Sequence, residues 1–418
     1  MNQSVFLLYS IAFLLITGCD VSDEKAQTVN KKNDYINCGQ KTSDISKIKM
    51  SENETIPLEG LVEKNYTVSV SILNITEARL FIGTVSKLWM YKDNYYLADM
   101  EISKKLYAFD KNGKLVFVLE NNGEGPGQHK MLWDIQFNYS QKRLEIWDLS
   151  LHKLLFFDLE GKFISEQKVN LPIMSFFPVT QDWYVYHLDG RDNMGKQTPL
   201  LQLLDITKKQ IINQGVYEYG IVDASFTKQE FSYYQGSPYF LRPMMDTIYW
   251  IGPVHGHICP TYIIDFEGKS IPIEAKQETD LMKAGNLIQR AGSSFVSGEL
   301  VVGRTFMSFE WLSSANNQRY ISFVDRFQDK AYQVKEKDLQ LFGIYLEKML
   351  AIDETAHNFI SYAFPHKVDK EKLAMAIVDK DLPEATRKEL TKIQQLTDQE
   401  MPFLVTFRLK HPESDGKP

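Results

Sequence analysis

The sequence predicts an all-β fold, a six-bladed β-propeller with two short helical insertions, set behind a signal peptide and a flexible tether. Three observations carry this. The 418-residue chain has an aromatic share of 12%, and aromatic side chains suit the half-buried, pleated surface of strands. Residues 95–119, YYLADMEISKKLYAFDKNGKLVFVL, align with residues 144–168, LEIWDLSLHKLLFFDLEGKFISEQK. Strand-like runs of the same kind then recur as far as Leu409. A period of about 40–50 residues with about four strands per unit marks a propeller blade, which cannot bury both faces alone and must pack in a ring.

In chain order, the first element is the apolar run Val5–Ile16, VFLLYSIAFLLI. It has the length of a signal-peptide core and falls short of the ~20 residues that span a bilayer. Thr17, Gly18 and Cys19 follow, and Ile16-Thr17-Gly18-Cys19 resembles a bacterial lipobox. That resemblance implies lipidation of Cys19 after cleavage, although Asn2-Gln3-Ser4 lacks the usual basic residue. A cleaved signal peptide with an incidental cysteine is the alternative. Residues 1–18 are thus read as a lipoprotein signal peptide and 19–50 as a lipidated cysteine with its tether. The tether is polar, as flexible linkers are. Its acidic start, Asp20-Val21-Ser22-Asp23-Glu24, resembles the export signals of Bacteroidetes surface lipoproteins, or is a plain solvated linker. Localisation is therefore expected at the outer membrane, on the periplasmic face or the cell surface. Cys38 and Cys259 remain, either paired or free.

The propeller is expected over residues 51–412, followed by a tail at 413–418. In the first two units Asp99 aligns with Asp148 and Asp110 with Asp158, about 48 residues apart. Each unit is a strand ending in Asp, a turn, a strand ending in Phe-Asp, a Gly turn and a further strand. Gly113 and Gly161 suit those tight turns because glycine accepts positive φ. The repetition of the aspartates favours structure, since a strand-end carboxylate accepts backbone N–H bonds in its turn. A third unit runs from Trp183 to Val216 with a polar insertion, a fourth from Ser237 to Phe266, and a fifth from Leu300 to Val334. A sixth spans Leu341–Phe364, and Phe403–Leu409 is the last strand. The strand-like stretch near the start is expected to share a blade with the last strand and close the ring, which removes exposed edges. Helices are expected over Glu274–Arg290 and Glu384–Leu396, where apolar residues keep helical spacing. They are expected to pack on the rim or, alternatively, to cap a mouth of the channel.

Gly123-Glu124-Gly125-Pro126-Gly127-Gln128, then Asp134-Ile135, the strand to Asp148, Leu154–Asp158 and Gly161-Lys162-Phe163 together resemble an NHL repeat. The resemblance is carried by residues 95–168. With the lipobox, the Arg242-Pro243 to Tyr249 segment and Met401-Pro402-Phe403-Leu404-Val405, the chain resembles the six-bladed propeller lipoproteins of Bacteroidetes. In those relatives the Gly-Pro-Gly loop often ends in Glu, and here it ends in Gln128. The resemblance bears on fold and says little about function.

Composition narrows the function classes. Lys and Arg number 47 against 54 Asp and Glu, a net charge of −7, so no nucleic-acid partner is expected, because phosphate neutralisation needs a basic face. The Gly-Glu-Gly-Pro-Gly loop lacks the Gly-Lys-Ser/Thr end of a phosphate loop and reads as a blade linker. His255-Gly256-His257-Ile258-Cys259 fits no zinc spacing. No His-Glu-x-x-His or Gly-x-Ser-x-Gly occurs. An active or binding site needs different residues on different blades, so the candidates lie in the irregular loops: Trp133, Asp134, His187, Asp189, Arg191, Asp192, Arg242 and Arg304. Of these, Arg191, Asp192, Arg242 and Trp133, with Tyr239 from the aromatic stretch Phe231–Phe240, are the expected ligand contacts. Aromatics beside an arginine suit stacking on sugars or peptides, and the same stretch also reads as strand packing.

Two functional readings follow. One is a lipid-anchored binding or scaffold module for a glycan, peptide or protein. The other is a metal-dependent propeller enzyme, lactonase- or lyase-like, which would need several axial acids or histidines around a divalent ion. Apart from that ion, no cofactor is expected. The missing catalytic motif favours binding, and fold alone does not choose.

Overall fold

The computed structural model describes residues 45–75, 80–120, 122–188, 198–217, 228–278, 280–353, 355–397 and 401–410. Cys19, Asp189, Arg191 and Asp192 lie outside these residues. Six antiparallel sheets stand in a ring. Blade one holds Lys87–Tyr91, Asn94–Asp99, Lys105–Phe109 and Leu115–Leu119, ordered from the axis outward. Blade two holds Leu132–Asn138, Arg143–Asp148, Lys153–Phe157 and Phe163–Lys168, and blade three Ile173–Pro178, Trp183–Leu188, Leu201–Asp205 and Gln210–Gly215. Blade four is Phe231–Tyr234, Ser237–Phe240, Thr247–Ile251 and Ile258–Asp265, and blade five Ser294–Val302, Phe306–Ser313, Gln318–Asp325 and Lys330–Lys335. Blade six takes Met349–Ile352, Asn358–Ala363 and Phe403–Arg408 from the end of the chain and Ser69–Ile72 from its beginning. The two ends of the fold therefore share one sheet, as the sequence predicts.

Each blade presents apolar side chains to both neighbours, so the core is a ring of inter-blade layers. Blades one and two meet through Tyr96, Phe137 and Phe157, two and three through Trp147, Phe176 and Tyr184, and six and one through Tyr107, Phe109 and Ile360. The repeated aspartates do what their spacing predicts. Asp99 accepts from the backbone N–H groups of Gly83, Ile102 and Ser103, and Asp148 from those of Lys130 and Leu151. Asp110 and Asp158 hold their Gly turns through Lys114 and Lys162.

The segment before blade one departs from its expected place. Residues 19–50 read as tether, yet Ser46–Lys49 adds a fifth, parallel strand to the outer edge of blade four, pairing Ser46 with Tyr262 and Lys49 with Asp265. Ile48 is fully buried there, which a short polar-flanked strand does not advertise in sequence. From there the chain crosses the edge of blade five, where Ile56 N–H donates to Gln333 O at 2.9 Å. It then completes blade six and reaches blade one, where Asn74 N–H donates to Gly113 O at 2.8 Å. Residues 45–75 are thus a strap over four blades. Gly113 is required where the strap lands: its φ is +76°, and a Cβ would lie 1.8 Å from Ile72 O.

The first helical region is two helices, Ile273–Gln277 and Leu281–Ala291, instead of one over Glu274–Arg290. Asp280 separates them because its carboxylate caps the second helix, accepting from Met282 and Lys283 N–H. The second region, Glu384–Gln394, forms as expected, and a further helix, Lys370–Val378, precedes it. The Glu384–Gln394 helix covers the outer edge of blade six. Thr386 Oγ1 accepts from Val68 N–H at 3.1 Å and Glu389 Oε2 from Val70 N–H at 3.0 Å. An edge strand is thereby blunted by side-chain acceptors. Among the described residues no helix is long and apolar enough to cross a membrane.

Candidate functional site

The inner strands bring their first residues to one end of the channel and their last residues to the other. Between the two mouths runs a belt of polar ties. Lys87 of blade one reaches Asp134 of blade two at 2.5 Å and Ile135 O at 3.2 Å. The other Asp134 oxygen accepts from Phe176 N–H of blade three at 3.0 Å. Ser175 donates to Glu230, which precedes blade four, and His187 Nδ1 lies 2.7 Å from the same Glu230 oxygen. Gln229 Nε2 donates to Leu300 O at 3.0 Å and to Leu350 O at 2.9 Å, joining blades five and six. Lys348 meets Glu299 at 2.9 Å, and the Thr84 and Tyr362 hydroxyls close the circle at 3.4 Å.

These charges are balanced locally. Burial pushes the Asp134 carboxyl up, while Lys87 and the Phe176 N–H pull against it. Burial also acts to raise Glu230, but His187, Ser175 and Arg242 outweigh it and hold the carboxyl below its ordinary range. Ser175, His187 and Glu230 resemble a catalytic triad only in composition. A triad places serine and acid on opposite ring nitrogens. Here both oxygens face Nδ1, with Ser175 Oγ at 3.5 Å, and the serine proton goes to the carboxylate. The three form a satisfied knot between blades.

The mouth at the strand starts is polar. Its cavity of about 330 Å³ is lined by Lys228, Ser297, Glu299, Glu310, Arg319 and Lys348, among others. Glu310 is buried, takes Arg319 Nε at 2.8 Å on Oε2, and leaves Oε1 without a partner. Burial pushes its carboxyl up to about 7 against the pull of Arg319. A carboxyl raised in the fold keeps its proton after the unfolded chain has lost it. Its contribution to stability is therefore greatest below about 4.5 and is lost as pH rises to about 7. In Glu310→Gln, the curve of Tm against pH is expected to flatten over that window. An unchanged slope would assign the titration to other groups.

The opposite mouth is aromatic. Its cavity of about 570 Å³ is lined by Tyr91, Tyr139, Phe177, Tyr233, Tyr234 and Arg304, with Asp353 at the side. Tyr139 of blade two and Tyr233 of blade four stack at 4.4 Å and 6°. Phe177 of blade three continues the stack on Tyr233 at 5.7 Å and 18°. Arg304 is exposed on the turn that follows the inner strand of blade five.

The sequence candidates separate between the two mouths. Trp133 sits at the polar one, donating its indole N–H to Met174 O at 2.7 Å, with the Lys228 ammonium 4.2 Å above its ring. Arg242 belongs to the same region through its pull on Glu230. Tyr239 is packed between blades four and five, where Arg326 donates to its hydroxyl at 3.2 Å. Asp134 and His187 are belt residues, and Arg304 faces the aromatic mouth. Sequence reasoning missed Lys87, Lys228, Glu299, Glu310 and Lys348. The available signal for Lys87 was a lysine opening the otherwise apolar strand Lys87–Tyr91.

The Gly-Glu-Gly-Pro-Gly loop joins blades one and two. Gly127 N–H donates to Glu166 at 3.2 Å, and Lys153 bonds both Gly125 O and Glu166. At Gly127 φ is +72° and a Cβ would meet the Phe163 ring at 2.8 Å, so the chain needs glycine there. Gln128 folds back to accept from Gly125 N–H at 2.9 Å. His255 and His257 lie ring to ring at 5.6 Å, and Cys259 is disulfide-bonded, so that stretch offers no three free ligands. The other cysteines, Cys19 and Cys38, lie outside the described residues. Among the described residues no group of three or more His, Cys, Asp or Glu could hold a metal ion.

The sequence matches a family described as "Domain of unknown function (DUF4934)" over residues 73–408, from the end of the closing strand to the last residue of blade six. The chain belongs to the DUF4934 family. Among solved structures, this DUF4934 chain is similar to a Bacteroides fragilis protein labelled as exported. The two share 15% identity with a TM-score of 0.68, over 88% of this chain and all of that one. A DUF4221 member from Bacteroides vulgatus matches with 10% identity and a TM-score of 0.49, over 84% of this chain and 99% of that one. The first likeness shows a shared fold. No curated protein matches the chain.

Proposed function

We propose that this DUF4934 protein is a lipid-anchored propeller of the cell envelope that binds a glycan at the aromatic mouth of its channel. The stacked tyrosine cleft carries the reading. Tyr139, Tyr233 and Phe177 come from three blades, so the stack exists only in the closed ring. Stacked on one another, the partly exposed tyrosine rings offer a sugar their apolar edges and their hydroxyls, while Arg304 and Asp353 supply polar contacts at the side. Such a cavity falls within the ordinary range for small-ligand sites, ~300–1,000 Å³. The envelope address is supported by the apolar run ending at Thr17-Gly18-Cys19 and by the exported label of the Bacteroides fragilis neighbour. A disulfide at Cys259 also suits an oxidising compartment.

The carboxylates along the axis favour binding over metal-dependent catalysis. Asp134 is held by Lys87, Glu230 by His187, Glu299 by Lys348 and Glu310 by Arg319. Acids committed to neighbouring side-chain donors form a belt and leave few oxygens for an ion.

An oligosaccharide array followed by calorimetry tests the reading. Arg304→Ala and Tyr233→Ala are each expected to weaken the bound glycan several-fold, since each removes a hydrogen-bonding group, worth ~0.5–1.5 kcal/mol. Binding that survives both substitutions unchanged, in protein with an unaltered melting curve, would place the ligand elsewhere. Peptide capture that depends on the same two residues would keep the site and replace its ligand.

A further inference from the structure

We infer that the polar mouth is a second binding site, one that takes a small carboxylate bearing hydroxyl or ammonium donors. It is separate from the aromatic mouth and does not depend on a glycan binding there.

The first observation is Lys228. Its ammonium lies over the Trp133 ring at 4.2 Å, and among the described residues no carboxylate oxygen comes within 4.0 Å of it. Burial pushes this lysine down, and the acids that pull the other way are Asp134, Glu101 and Glu230. Asp134 is already taken by Lys87 and Glu230 by His187, while Glu101 is exposed. A cation partly removed from water without a partner is unfavourable, and an incoming anion relieves it. Trp133 is fixed by its bond to Met174 O, so the ammonium rests on a rigid support.

The second observation is independent of the first. Glu310 and Ser297 both line the same cavity, and Glu310 Oε1 and Ser297 Oγ are buried beneath its surface with no hydrogen-bond partner. A buried carboxylate oxygen without a donor is costly and rare. With Glu310 ionised, the two point to a ligand that donates. The neighbouring charges are matched, Glu299 to Lys348 and the other Glu310 oxygen to Arg319. Among the described residues, the groups left for a ligand include the Lys228 ammonium, the Glu310 acceptor and the Ser297 hydroxyl. The cavity, about 330 Å³, sits at the small end of ligand sites. A monosaccharide acid or a free amino acid has this size, a carboxylate for Lys228, and donors for Glu310 and Ser297.

Calorimetry on the full chain with galacturonate, glutamate, galactose and glycinamide tests the inference. Galacturonate or glutamate is expected to bind, and the two neutral or cationic probes at least tenfold more weakly. Binding by galacturonate alone would make the ligand a sugar acid, and by glutamate alone an amino acid; either supports the site. Lys228→Met is expected to weaken the bound acid at least tenfold, and Lys228→Arg to keep it within threefold. Glu310→Gln should weaken it several-fold, and Tyr233→Ala at the other mouth should leave it unchanged. If neither acid binds, or if Lys228→Met binds as tightly as the parent, the inference is overturned. Should Lys228→Met fail to fold, loss of binding in Glu310→Gln with retention in Lys228→Arg decides in its place.

Discussion

A chain that begins at residue 74 is expected to lose cooperative folding, whereas one that begins at residue 45 should keep it. The strap from Ile45 to Leu73 contributes eight buried apolar side chains, among them Ile48 and Leu58, which are fully buried. At ~1.5–3 kcal/mol for each buried aliphatic side chain, their combined loss rivals the whole stability of a typical domain, ~5–15 kcal/mol. Geometry adds to this. Without Ser69–Ile72, the Phe403–Arg408 strand becomes an open edge, and the Thr386 and Glu389 acceptors lose the N–H groups they hold. Relative to the start at 45, which like the others lacks both cysteines able to pair with Cys259, a start at residue 51 removes the outer strand of blade four and is expected to lower stability by several kcal/mol through Ile45, Ile48 and Met50. Thermal and urea melts of the three chains measure the difference. Equal midpoints for starts at 45 and 74 would show that the strap adds nothing to ring closure.

Asp134→Ala is the point substitution with the largest expected cost, about 3–5 kcal/mol, the usual penalty for stranding one member of a buried ion pair. The change strands Lys87 and removes the acceptor for Phe176 N–H. Because Lys87, Asp134 and Phe176 belong to three successive blades, the loss falls on blade-to-blade registry. Asp134→Asn keeps a hydrogen-bonding oxygen and should cost less. Combining Lys87→Met with Asp134→Leu is expected to recover part of the loss and leave the unpaired N–H of Phe176 as the remainder. Urea unfolding of the parent, Lys87→Met, Asp134→Leu and their combination, read as a double-mutant cycle, gives the coupling energy. A coupling near zero would mean that the two groups act independently in the fold.

The parts of this protein legible in its sequence are those whose cause is local. A strand ending in Asp before a tight turn satisfies its own neighbourhood, so Asp99, Asp148, Asp110 and Asp158 announce their roles by spacing alone. The aromatic stretch from Phe231 to Phe240 was also visible. Which of its rings would meet partners was not: Tyr233 stacks on Tyr139, while Tyr239 turns to Arg326. Alternation along a strand says which face a residue takes, but nothing about the blade opposite. The tether shows the same limit. Ser46–Lys49 is short and flanked by polar residues, and only the free edge of Ile258–Asp265 makes it a strand.

By itself the sequence determined the blade count, the closure of the ring by its two ends, and the turn chemistry, because the same local pattern repeats about every 48 residues and an edge must be covered. Tertiary structure alone decided the character of the two mouths. Lys87 meets Asp134, Ser175 meets Glu230, and Tyr139 stacks on Tyr233 only once the inner strands converge on one axis. Such pairings depend on distance in space between different blades, and a one-dimensional pattern carries no measure of that distance.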